Sequence, residues 1–373
     1  MAIYTFDKIA INSTQKVKPL ESDKEHYIGL EHIDPECLYI TRWGADAAPI
    51  GEKLVMKKGD ILFGKRRAYQ RKVGIAPFDG IFSAHGLVLR PKEDVIIKEF
   101  FPFFISSDQF LDRAVQISVG GLSPTVNWSD LARQEFDLPS IEEQKVLADK
   151  LWAAYKVKES YRQLLSTTDE MLKAKFQEMF GDGKYSVRLD SVCELFVDGD
   201  WIESKDQSIK GIRLVQTGNV GEGVYIDKAD KAKFINEETF RRLNCTEIFS
   251  GDILISRLPD PIGRACVLPK NLGRTITAVD CTIIRLKKEK MLQSFFIANT
   301  LTPSYTKQIY SFILGTTRMR ISRNNLASIQ IACPPIEEQK RFDEIYTQAE
   351  ATKASLRASI EAIDRVIRSL INQ

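Results

Sequence analysis

The stretch PSIEEQK at residues 139–145 recurs as PPIEEQK at residues 334–340, an offset of 195. Reading outward from the two copies lengthens the match. Gly120 aligns with Gly315, Val126 with Ile321 and Leu131 with Leu326 at the same offset. Leu87–Arg90 (LVLR) aligns with Thr282–Arg285 (TIIR), again at 195. Upstream the offset drifts. GDIL at 59–62 matches GDIL at 251–254, Val73-Gly74 is set against Ile262-Gly263, and Phe6-Asp7 resembles Leu189-Asp190. Ordered matches with a slowly drifting offset describe a duplicated domain with small loop insertions, not a solenoid of short repeats.

Each half then has two parts. The first is mixed, with short β-like runs (DILFG, GLVLRP, DILIS, CTIIRL) broken by Gly, Pro and Asn. The second opens at the repeated heptapeptide and reads as a helix. Pro139 and Pro334 end the preceding strand, and the Glu pairs at 142–143 and 337–338 sit in a first turn, where negative charge suits the helix dipole. The expected partition is a first globular domain over 1–140, a long helix over 141–183, a second globular domain over 184–335 and a long helix over 336–373. The fold class is α/β in the mixed α+β sense.

Both helices carry a stripe at steps of four and three, the coiled-coil spacing. The first stripe runs through Leu147, Leu151, Ala154, Lys158, Tyr161, Leu165, Thr168, Leu172, Lys175 and Met179. The second runs through Phe342, Ile345, Ala349, Thr352, Leu356, Ile360, Ile363, Ile367 and Leu370. Forty helical residues span roughly 60 Å, more than one small domain can cover. An antiparallel coiled coil of the two helices satisfies both stripes and gives a pseudo-twofold repeat. The alternative folds each helix back on its own domain; Lys158 and Lys175 within the stripe suit a paired rod better.

The net charge of +3 is too small to imply a partner, so the distribution decides. Lys65, Arg66, Arg67, Arg71 and Lys72 fall in eight residues, with Tyr69 and Gln70 interleaved and no acid between Asp60 and Asp79. Arginine offers a planar fork that fits phosphate and the guanine edge, and tyrosine can stack on a base. Trp43, beside Arg42, is a second aromatic candidate. In the second half, Arg257 and Arg264 flank Leu-Pro-Asp-Pro-Ile-Gly, and Arg318, Arg320 and Arg323 lie in an acid-free run from Ser311 to Ile336. Arg213, with Gln216 and Asn219, adds polar reach near a glycine-rich turn. A solvated basic loop is the plain alternative for the first cluster, and a structural role is the alternative for each arginine. A shared frame with different polar residues fits two readers of different DNA sequences.

Catalytic patterns are missing. There is no glycine-rich phosphate loop, no G-x-S-x-G and no H-E-x-x-H. Cys333-Pro-Pro-Ile336 lacks the acid or amide and the aromatic of an amino-methyltransferase, and Pro259-Asp260 has no following nuclease Glu-x-Lys. Six scattered cysteines without a C-x-x-C pair and only three histidines fit reduced thiols in a cytoplasm and no metal site. No signal peptide or membrane span is expected. The chain reads as a binder with no catalytic residues and no cofactor of its own. A coiled-coil adaptor joining two protein-binding domains, without DNA readout, is the rival reading.

The two GDIL strands, FGKRRAYQRKVGIA at 63–76, SAHGLVLR at 83–90 and the paired P-x-IEEQK helix starts resemble the DNA specificity subunits of type I restriction–modification systems, over nearly the whole chain. That resemblance implies two target-recognition domains, each followed by a long helix, the helices pairing antiparallel. It implies a specificity subunit that is not an enzyme and that binds double-stranded DNA at two half-sites separated by a spacer. It also implies two methyltransferase subunits and two restriction subunits as partners, with S-adenosylmethionine, ATP and magnesium held there. An adenine in each half-site would be flipped into the methyltransferase. The expected DNA contacts are Trp43, Lys65, Arg66, Arg67, Tyr69, Gln70, Arg71 and Lys72 in the first half, and Arg213, Arg257, Arg264, Arg318, Arg320 and Arg323 in the second.

Overall fold

The computed structural model describes residues 2–313 and 319–372. The chain forms two compact units, one of Met1–Arg162 with Arg357–Gln373 and the other of Gln163–Leu356. The central helix, Ile141–Phe180, and the C-terminal helix, Ile336–Ile371, therefore each contribute to both units. Among the described residues no helix is long and apolar enough to cross a membrane.

The first unit holds a four-stranded antiparallel sheet in the order Ala10–Ser13, Leu87–Pro91, Ile61–Phe63, Val73–Ile75. The second holds the same sheet in the order Cys193–Asp198, Cys281–Leu286, Ile253–Ser256, Ala265–Val267. In each unit GDIL enters the sheet from a turn whose glycine has positive φ, +90° at Gly59 and +92° at Gly251. A residue with a β-carbon is strained there. The following aspartates are buried and each grips an arginine on the neighbouring strand with two parallel bonds. Arg90 donates from Nε and Nη2 to Asp60 at 2.7 and 2.8 Å, and Arg285 does the same to Asp252 at 2.8 and 2.7 Å. The repeated GDIL thus marks a repeated carboxylate–guanidinium fork across two strands.

Strand register corrects one alignment. Phe63 pairs with Val73 and Leu62 with Gly74, while Ile255 pairs with Ala265 and Leu254 with Cys266. Val73-Gly74 therefore corresponds to Ala265-Cys266, not to Ile262-Gly263. The two glycines serve different needs. Gly74 lies in a strand where a β-carbon would come within 2.8 Å of the Ile40 side chain, whereas Gly263 is a loop residue at φ +85°.

The IEEQK repeat is explained by its glutamine. Gln144 is buried; its Nε2 donates to the carbonyls of Val95 and Pro139, each at 3.0 Å, and its Oε1 accepts from Ile97 N–H at 2.9 Å. Gln339 repeats all three bonds, donating to Lys290 and Pro334 at 2.7 and 2.8 Å and accepting from Leu292 at 2.9 Å. Each glutamine fixes a helix start to the loop that leaves its sheet. The preceding glutamates differ. Glu143 closes a capping box with Ser140, whereas Glu338 accepts from the Tyr185 hydroxyl at 3.0 Å.

The two long helices pack together. In the first unit Leu151 and Tyr155 share a core with Ile367, and Leu147 and Ile363 pack against it. In the second, Phe176 meets Phe342 at 5.2 Å, and Asp169 meets Lys353 further along, so the helices run antiparallel there. Of the remaining stripe positions, Leu172 and Leu356 are buried, and Tyr161, Leu165 and Ile360 are half-buried. Thr352 is exposed; its neighbour Lys353 takes the buried place, and Tyr155 rather than Ala154 is the buried residue after Leu151. A lysine can occupy such a place because its stem packs while its ammonium reaches a carboxylate. Lys158, 2% exposed, meets Asp364 at 2.5 Å, and Lys353, 7% exposed, meets Asp169 at 2.6 Å and Glu350 at 2.5 Å. Lys158 and Lys353 are offset by 195, as are Asp169 and Asp364. The duplication carries one ion pair twice, reciprocally.

Candidate functional site

Beyond the shared four-stranded sheet, the units differ at the hairpin tip that follows GDIL. In the first unit Gly64 N–H donates to Lys72 O at 2.9 Å, closing a tip that contains one short helical turn, Ala68–Gln70. Arg67 and Arg71 flank it, both left-handed at φ +56° and +51°. Each such residue costs about 1–2 kcal/mol, so the tip needs anchors. Ala68 is buried, and Arg67 N–H donates to Pro124 O at 2.7 Å. The Arg71 guanidinium bonds Asp108 and Asp112, each at 2.6 Å. Lys72 Nζ donates to Leu30 O at 2.6 Å.

Those bonds divide the basic cluster. Arg71 and Lys72 are held within the protein. Arg66 and Arg67 reach only neutral groups: Ser123 Oγ at 3.4 and 3.2 Å, and for Arg66 also His85 Nε2 at 3.4 Å. Among the described residues neither meets a carboxylate. Lys65 is half-buried, and burial, with Lys16 nearby, lowers its ammonium below the usual lysine range. Burial and the positive field of Arg66, Lys65 and Lys53 likewise hold His85 below the usual histidine range. Tyr69 is half exposed and Gln70 is half-buried on the same tip. Trp43 is half exposed, its ring edge-on to Phe78 at 5.2 Å.

In the second unit Ser256 N–H donates to Arg264 O at 2.9 Å, so the tip Arg257–Gly263 corresponds to Lys65–Arg71. Its arginines are occupied inside the protein. Arg257 is 3% exposed; Nη2 donates to Val279 O at 2.6 Å and lies 3.3 Å from Asp198, and Nε has no partner. Burial pulls its guanidinium below the usual arginine range, with Asp198 opposing. Arg264 donates to four carbonyls, those of Val220, Leu258, Pro261 and Thr217, at 2.6 to 2.9 Å. It staples the tip to the turn after strand Ile212–Val215. These two arginines build the frame rather than face outward.

Other candidates are scattered. Arg213 bonds Asp227 at 2.5 Å. Arg320 is half exposed, 3.8 Å from Asp280, and Arg323 is exposed at the start of the helix Arg323–Ser328. Arg318 lies outside the described residues. Sequence reading passed over three exposed lysines, Lys228, Lys231 and Lys233, which with Arg213, Gln216 and Asn219 line one concave surface. The run KADKAK at 228–233 was the available signal. Among the described residues no cluster of three or more His, Cys, Asp or Glu is arranged to hold a metal. What the exposed cationic surfaces can do is bind anions.

The comparisons agree with this architecture. The family model described as the type I restriction modification DNA specificity domain matches residues 19–165 and 182–365, once per half. A putative type I restriction enzyme specificity subunit, MjaX of Methanocaldococcus jannaschii, is 24% identical over 343 residues, covering 84% of this chain and 77% of its own. The EcoKI specificity subunit of Escherichia coli K12 is 21% identical over 323 residues, covering 79% and 68%. A chain solved in work on complex assembly and conformational transition of the type I R-M system superimposes with TM-score 0.54 at 18% identity, covering 99% of this chain and 96% of that one. The type I S subunit of M. genitalium gives 0.51 at 13%, covering 99% and 94%. With both halves matched by its domain, this chain belongs to the type I restriction–modification specificity family, whose members carry DNA target recognition and not catalysis.

Proposed function

We propose that this chain reads a bipartite, asymmetric DNA target and positions the methyltransferase and restriction subunits of a type I complex upon it, in the cytoplasm. Residues 1–140 and 184–335 are the two target-recognition domains, one per half-site. The observation that carries the reading is the pair of hairpin tips. One frame, closed by the same backbone bond, presents KRRAYQRK at 65–72 and RLPDPIGR at 257–264. Guanidiniums without carboxylate partners, beside an exposed tyrosine, suit phosphates and base edges in the first unit. The long helices set the spacing between half-sites and offer a docking face. Val157, Leu164 and Met171 of the central helix are exposed and recur every seven residues, an apolar stripe along the flank of the seam. S-adenosylmethionine, ATP and magnesium belong to the partner subunits, two of each kind.

The test is to co-express the chain with its methyltransferase subunit and map methylated adenines across the host genome. Two unlike short motifs at fixed spacing are expected. Replacing residues 65–72 by the sequence of 257–264 should alter one of them and leave the other. A stable complex that methylates without a bipartite motif counts against the reading and for the adaptor.

A further inference from the structure

In the second unit, strands Ile212–Val215 and Lys233–Ile235 pair antiparallel, and the chain turns at Thr217–Asn219 immediately after the first of them. That turn is rigid. Gln216 N–H donates to Asn219 Oδ1 at 3.0 Å, and Asn219 Nδ2 donates to Ile226 O at 3.0 Å. From below, Arg264 donates to Thr217 O at 2.9 Å and to Val220 O at 2.6 Å. Above it lies Lys228: a β-carbon at Gly218 would come within 2.9 Å of its Nζ. Lys231 and Lys233 line the same concavity. Among the described residues none of the three ammoniums meets a carboxylate within 4.0 Å. Of the nearby acids, Asp227 is taken up by Arg213, and Asp230 alone remains in the run 228–233.

The first unit has the same turn with the opposite charge. Gly29 N–H donates to His32 Nδ1 at 3.0 Å, and Lys72 donates to Leu30 O from below, as Arg264 does to Thr217. There Glu31 stands at the position of Gly218, and its carboxylate folds back over Gly29, the counterpart of Gln216, where a β-carbon would strike it. One turn is anionic and its counterpart cationic.

We infer that the floor Thr217–Gly218–Asn219 with Lys228, Lys231 and Lys233 is a phosphate-binding surface that anchors the DNA backbone to the second unit. This rests on the proposed DNA-reading function and adds where the second unit holds its duplex. Lysine ammoniums are compact point charges without the planar fork of arginine, so they attract phosphate and discriminate bases poorly. Gly218 lets a phosphate approach the backbone closely. The first unit takes its phosphates at the tip, through Arg66 and Arg67, and not at its Glu31-covered turn.

The experiment uses the chain in complex with its methyltransferase subunit and a triple variant, Lys228→Gln, Lys231→Gln, Lys233→Gln. Binding to duplexes carrying the mapped target and a scrambled one is measured across a salt series, and the methylated motif is mapped again. The slope of log K against log salt should fall by about two to three, since each phosphate contact contributes about 0.9. Affinity for both duplexes should drop by the same factor, on the order of tenfold, with the motif unchanged. The Lys→Arg triple variant should keep the parent slope, which separates lost charge from a disturbed fold. An unchanged slope in the Gln variant overturns the inference while leaving the DNA-reading function standing. So does a relaxed second half-motif, which would make these lysines base readers. Inorganic phosphate is also titrated against both complexes in thermal unfolding: stabilisation of the parent that the Gln variant lacks, with DNA affinity unchanged, would assign the surface to a free anion and overturn it too. If the parent complex itself fails to bind DNA, the function and this inference fall together.

Discussion

The loops Gly64–Lys72 and Ser256–Arg264 are the same loop with different surfaces. Each has nine residues and closes through an equivalent N–H···O bond at 2.9 Å. Each also receives a neighbour's N–H on its second carbonyl, Val126 on Lys65 and Ile321 on Arg257. The last residue of each staples the loop to the turn behind it, Lys72 to Leu30 and Arg264 to Thr217. Between these fixed points the first loop leaves Arg66 and Arg67 without carboxylates, and the second has Leu258, Pro259, Asp260, Pro261 and Ile262. Backbone bonds and the half-buried staples are indifferent to what the tip displays. The tip can therefore change its charge without disturbing the sheet, which is what a pair of readers for unlike half-sites requires.

If the frames are equivalent, breaking them should cost the same. The sharpest place is the fork below each tip. Asp60→Ala leaves Arg90 and Lys57 N–H without their carboxylate, and Asp252→Ala leaves Arg285 and Phe249 N–H. Each substitution should destabilise its own unit by about 3 kcal/mol, the order expected when one partner of a buried, hydrogen-bonded pair is removed. Amide hydrogen exchange in urea, followed peptide by peptide in each unit, would read the two losses separately. A large loss for one aspartate and none for the other would break the equivalence.

The duplicated frame was legible in sequence because it is made of groups that cannot vary cheaply. A positive-φ glycine, a buried aspartate and a buried glutamine with three bonds each leave an identity behind, hence GDIL and IEEQK. The surfaces were less legible. Arg257 and Arg264 look like Arg66 and Arg67 in one dimension, and only burial and the carbonyls around them separate frame from display. Nothing in the run KADKAK itself sets Lys228, Lys231 and Lys233 apart from a solvated surface; the Gln216–Asn219 turn places a concave floor beneath them. In sequence Thr352 fits the stripe better than Lys353, because a lysine is a poor seam residue unless a carboxylate waits on the facing helix. That carboxylate, Asp169, is 184 residues away.

A smaller effect tests the display. Arg66→Ala with Arg67→Ala should reduce DNA affinity by about 1–3 kcal/mol and lower the salt slope by one to two, with little change in stability. Arg71→Ala should do the reverse. It strips Asp108 and Asp112 of their cation and releases a left-handed residue, so its effect should appear in unfolding rather than in DNA titration. Equal loss of DNA affinity from both variants would mean that Arg71 leaves its aspartates for the duplex, and the division between frame and display within the first tip would fail.

The smallest effect concerns the seam, where the comparison is between ion pairs. Lys353 has two carboxylates, Asp169 and Glu350, where Lys158 has Asp364 and the Glu36 carbonyl. Burial works against the Lys353 charge, but its bonds to Asp169 and Glu350 outweigh it and raise its pKa above the usual lysine value. A lysine raised on folding contributes stability that is complete below the unfolded value, about 10.4, and is lost as pH climbs through the folded one. Other groups titrate in that range, so the parent alone is uninformative. The difference between parent and Lys353→Met isolates the pair. That difference, about 1 kcal/mol or less because Asp169 is half exposed, should favour the parent at pH 8 and shrink steadily above pH 10. A constant difference from pH 8 to 11 would mean that Lys353 holds its place by the packing of its stem, and that the repeated ion pair is a matter of fit and not of charge.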